Sequence, residues 1–217
     1  MSNAVLSQSG RDQSPSASGT ASVVAAVVAA WFVAIVLLGA SRAFVTPAGL
    51  VPLPIAIGVT APVLVFLGAY WLSRQFRELV LTADLRLVAG IHAWRAAGFA
   101  FLALYTYEVL PGFFALPAGL GDIAIGVTAP WIMLALIRRP GFAAGKTFVA
   151  WNLLGLLDLV VAVSTGALAS GLYIGSVGEI TTQPMALLPL VLIPAYLVPI
   201  FIMLHLTALI QARRAAS

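Results

Sequence analysis

The chain has 217 residues, of which 62% are hydrophobic and only 8% charged, with a mean hydropathy of +1.08. A soluble domain carries about 25% charged residues, so the composition excludes a water-covered surface for most of the chain. The net charge is +4, yet the basic residues lie in short connectors and leave no patch for nucleic acid. The absence of cysteine excludes disulfides, thiolate metal sites and a cysteine nucleophile.

Residues 1–21 are rich in Ser, Gly and Gln and predict a disordered cytoplasmic tail. A six-helix transmembrane domain is expected over 22–212. An apolar run of about 20 residues spans a bilayer, and six such runs follow, at about 22–40, 51–72, 87–109, 117–137, 147–168 and 185–210. The first is longer than the apolar core of a signal peptide and reads as a retained helix. Pro52, Pro54, Pro62, Pro130, Pro189, Pro194 and Pro199 lie within or near the span limits and predict kinks in the second, fourth and sixth spans. Trp71, Phe76, Phe113, Phe114 and Tyr173, near span ends, suit an interfacial aromatic belt.

Orientation comes from the connectors. Arg74, Arg77 and Arg86, then Arg138, Arg139 and Lys146, then Arg213 and Arg214, together with Arg11, put nine basic residues on one side. The alternate connectors hold only Arg42, and Arg95 lies inside a span. That asymmetry predicts both termini in the cytoplasm. The preference for Arg over Lys suits a GC-rich bacterial genome, and hence a bacterial inner membrane.

The segment Ile55–Pro62 recurs identically as Ile123–Pro130, and Trp94-x-x-x-Gly98 matches Trp151-x-x-x-Gly155. The expected fold is therefore an all-α polytopic bundle of about six spans, with a parallel duplication of a two-helix hairpin. Converging apolar sequence is the plainer account of the repeat. Its polar residues differ between copies: Pro54 aligns with Asp122, Arg95 with Asn152 and Phe101 with Asp158.

Six polar residues fall within spans: His92, Arg95, Asp122, Asn152, Asp158 and His205. Each charge there costs at least about 2.5–3.5 kcal/mol unless it faces the bundle interior and finds a partner. From the cytoplasmic ends, Arg95 lies roughly 13 Å deep, Asp158 roughly 17 Å and Asp122 roughly 22 Å. An Arg95–Asp158 ion pair is expected, with Asp122 the next carboxylate outward and an alternative reading as a helix cap. His92 and His205 share a depth and could ligate a haem iron, although a hydrogen bond to a neighbouring helix is the plainer role for each. Glu108 reads as a wetted interfacial acid, and Glu179 as solvent-facing.

No metalloprotease, phosphate-loop, serine-elbow or dinucleotide signature occurs, and no enzyme activity, cofactor or metal is expected. Three functions remain: a small transporter or permease-like protein using the Arg/Asp network; an accessory subunit meeting a second copy or a partner membrane subunit through small-residue faces at Ala97, Gly98 and Gly155; and a haem-bearing electron carrier. The lipid bilayer is the expected environment in all three.

Overall fold

The computed structural model describes residues 15–47, 50–172 and 180–216. Most of the tail, together with Tyr173 and Glu179, lies outside the described residues. Among these the chain is all-helical, and six helices are long and apolar enough to cross a membrane. They comprise α1 (Pro15–Ala40), α2 (Leu53–Leu72), a composite third span (Leu85–Thr106), α6 (Gly112–Arg138), α7 (Lys146–Ala167) and the span ending in α8 (Val198–Ala216). Helix α1 already covers 15–21, inside the segment expected to be a tail.

The short connector after α2 contains a helix that apolar runs could not reveal, α3 (Arg74–Thr82). Ser73 caps its N-terminus by accepting from the Phe76 N–H at 3.2 Å. Its sequence alternates polar and apolar faces. The apolar face packs against α1, α2 and α8, with Val80 buried. Arg77 closes the end of α2 by donating to the Tyr70 and Trp71 carbonyls at 3.1 and 2.9 Å.

The third span is three pieces: α4 (Leu85–Ile91), a 3₁₀ stretch (His92–Gly98) and α5 (Phe99–Thr106). Helix α6 lies along all three. Contact is close because glycines line it. A Cβ on Gly126 would overlap the Arg95 and Ala96 backbone, and one on Gly98 would meet the Gly119 carbonyl at 2.8 Å. Such backbone approach is the usual use of small residues between spanning helices. The fourth span begins at Gly112 after Pro111, so Pro117 lies inside it.

The last apolar run is not one helix. Gln183–Ala186 is a 3₁₀ turn, and helical structure resumes only at Ile193. Pro184 and Pro189 interrupt it, since each removes a backbone donor. Met185, Ala186 and Val191 pack back into the bundle as members of its buried apolar clusters.

The bundle is layered. At the basic end, Val88, Ala129, Ile132, Phe148, Trp151 and Ala208 belong to one apolar cluster. At the opposite end, a second gathers Phe101, Leu110, Phe114, Ala118 and Met185. Phe114 is therefore a core residue (5% exposed) and not part of an aromatic belt, while Trp71 is 71% exposed. The polar residues lie between these clusters.

The sequence repeat is used differently in its two copies. Trp151 is buried and donates to Thr128 at 2.9 Å, joining α7 to α6. Its counterpart Trp94 faces outward at 77% exposure, and Thr60, the counterpart of Thr128, bonds within its own helix to Ala56.

Candidate functional site

All six polar residues singled out in the candidate spans meet in one cluster around Arg95. Its side chain is fully buried, and the 3₁₀ stretch aims it between α6 and α7. Its Nε donates to Asp122 Oδ1 at 2.6 Å, and its Nη2 donates to Asp158 Oδ2. Its Nη1 donates to the Gly155 carbonyl at 3.4 Å and approaches His205 Nε2 at 3.1 Å. Arginine only donates, so His205 Nε2 must be an acceptor. The proton then sits on His205 Nδ1, which donates to Asn152 Oδ1 at 2.9 Å. Asn152 in turn donates to the Phe148 carbonyl at 2.9 Å. One unbranched order of donors thus runs from Arg95 through His205 and Asn152 to the α7 backbone.

Two glycines make room for it. A Cβ on Gly121 would overlap the Asp158 carboxylate, and one on Gly155 would overlap the His205 ring. Asp122 is not a helix cap. Pro111 is the N-cap of α6, and Asp122 lies about three turns inside. A cap reading assumed a helix start at Pro117. Asp122 also meets Arg95 directly instead of standing beyond Asp158. The 3₁₀ rise of about 2.0 Å per residue carries the third span roughly 3–4 Å further over seven residues, and the long guanidinium spans the rest.

His92 is fully buried and stacks on His205, with ring centroids 3.9 Å apart and planes 21° from parallel. Trp151 and Phe201 contact it, each at 5.5 Å. Neither ring nitrogen has a hydrogen-bond partner among the described residues. This arrangement does not fit axial haem ligation. That would place the imidazoles on opposite faces of the macrocycle, whereas these rings touch each other.

Above the cluster is a cavity of about 110 Å³ that sequence reasoning missed. Among the described residues Asp122 is its one charged lining residue; Phe101, Phe114, Leu159 and Val163 give it apolar walls, and Phe44 and Gln183 also line it. Asp122 and Asp158 keep 18% and 12% of their side-chain surface exposed, against none for Arg95. The cavity signal is absent from local sequence because its walls come from connectors and five separate spans. Glu108 is exposed at the end of α5, outside this cluster.

Residues 50–213 match the family described as a domain of unknown function, DUF8737, and the chain belongs to that family. No curated protein and no solved structure matches it.

Proposed function

We propose that this chain is a multi-pass protein of a bacterial inner membrane, with both termini cytoplasmic, and that it is a small permease-like transporter. Nine basic residues on one side against one on the other support the orientation. The observation carrying the transport reading is the Arg95–Asp122–Asp158 triad, whose Asp122 lines an apolar cavity. A purely structural layer would be built more cheaply from apolar side chains, because buried ion pairs seldom stabilise relative to well-packed hydrophobic residues. The triad instead offers charge where the cavity ends. The apolar cluster around Phe148 and Ile132 fills the bundle on the basic side of the triad, which supports reading this conformation as outward-facing.

The test is flux of small solutes across proteoliposomes. Wild-type protein is expected to pass at least one solute faster than empty vesicles, and Asp158→Asn to slow it by about tenfold or more. Unchanged flux in Asp158→Asn would remove the basis of the reading. Topology is testable independently because the chain lacks cysteine. A single cysteine at Ser41 should react with an impermeant maleimide from outside, and one at Ser73 should not.

A further inference from the structure

We infer that the cavity binds a small organic ammonium ion, with Asp122 as its counter-charge. This names the ligand of the site on which the transport reading rests.

Charge is the first argument. One guanidinium faces two carboxylates, so the ionised triad carries one net negative charge inside an apolar bundle. Arg95 occupies only Oδ1 of Asp122; the other oxygen accepts no hydrogen bond among the described residues, and Asp122 lines the cavity. Among the described residues no cationic side chain lines it to neutralise the excess. A cation seated against Asp122 would.

The walls supply the second argument. Phe44, Phe101 and Phe114 line the cavity, each 5–6% exposed. Aromatic faces attract ammonium groups, and most strongly where water is excluded. An inorganic cation would need several oxygen ligands, whereas most of this lining is hydrocarbon. The cation must therefore bring its own apolar body. Thr46 also lines the cavity, and its hydroxyl is buried with no partner among the described residues, so a polar substituent could be met at the outer end.

Size is the third. A dry 150 Å³ cavity accepts benzene, so about 110 Å³ suits a body of roughly five heavy atoms. Tetramethylammonium has that size and charge. A dianion has the wrong charge, and a sugar has neither the size nor the charge.

The experiment is isothermal titration of the full chain in mild detergent with tetramethylammonium, and competition by sodium and by neutral tert-butanol. Saturable binding is expected, unaffected by either competitor. Asp122→Asn should weaken it by more than about tenfold. Ala167→Phe, which fills the cavity without touching the triad, should abolish it. The Ala167→Phe result decides if Asp122→Asn does not elute as a folded species. No saturable binding, equal competition by tert-butanol, or retained binding in the filled variant would overturn the inference. Binding is read without flux. A protein that binds tetramethylammonium but moves nothing keeps this inference and loses transport; one that moves other solutes and ignores tetramethylammonium does the reverse.

Discussion

Replacing Arg95 by Met tests the energetics of the cluster. The methionine fills most of the side-chain volume but removes a fully buried charge whose Nε, Nη1 and Nη2 together serve two carboxylates, one carbonyl and His205. Two carboxylates with only 18% and 12% side-chain exposure are then left side by side without a counter-charge. Breaking one partner out of a buried pair costs about 3–5 kcal/mol, and the orphaned His205 acceptor adds about 1 kcal/mol. Arg95→Met should therefore lose about 4–6 kcal/mol. Neutralising the carboxylates as well, in Arg95→Met with Asp122→Asn and Asp158→Asn, removes the uncompensated charge and should recover all but about 1–2 kcal/mol. Reversible unfolding by SDS in mixed micelles, followed by tryptophan fluorescence, measures both. Trp151 reports locally, since its ring lies 5.5 Å from His205. The reasoning is refuted if Arg95→Met costs under about 1 kcal/mol, or if the triple variant is as unstable as the single one.

Three further outcomes can be measured in the same way. Gly155→Ala should cost about 1–3 kcal/mol, because the methyl group displaces the His205 ring; Gly68→Ala, where a Cβ meets nothing within 4 Å, should instead stabilise by about 0.5 kcal/mol. His92→Phe should stabilise by about 1–3 kcal/mol, since it removes two buried nitrogens without partners while keeping the ring stack; destabilisation would mean those nitrogens are satisfied. At the basic end, hydrogen bonding and the charge of Arg86 hold Asp84 below the usual carboxylate value of 3.8. A lowered folded value stabilises at pH above 3.8 and is lost as pH falls through it. Asp84→Ala should therefore cost at most about 1 kcal/mol at pH 7, mainly through the lost cap of α4, and less once the carboxyl is protonated, because the neutral acid caps more weakly.

The six apolar helices were readable because a helix long and apolar enough to cross a membrane must be a long run with few charges. The same constraint brought the polar residues together, since each isolated charge had nowhere else to go. Arg95 beside Asp158 followed from matching depths. Asp122 was placed too far out because a 3₁₀ stretch inside a span leaves no apolar signature. Helix α3 was hidden because it is short and half polar. The break before Ile193 was masked by an apolar run whose prolines are tolerated as kinks in other spans. Gly126 gave no signal beyond composition until α6 lay against Ala96. The cavity, assembled from residues as far apart as Phe44 and Val198, depended on packing that no local pattern encodes.

The central claim is that the charged triad moves a solute and does more than fix the fold. It is tested most directly by solute flux per folded molecule in wild type and in the Arg95→Met, Asp122→Asn, Asp158→Asn triple variant, whose folding is verified on the same preparation. The account predicts a stable variant with flux no faster than empty vesicles. A stable triple variant that transports as fast as wild type would contradict it.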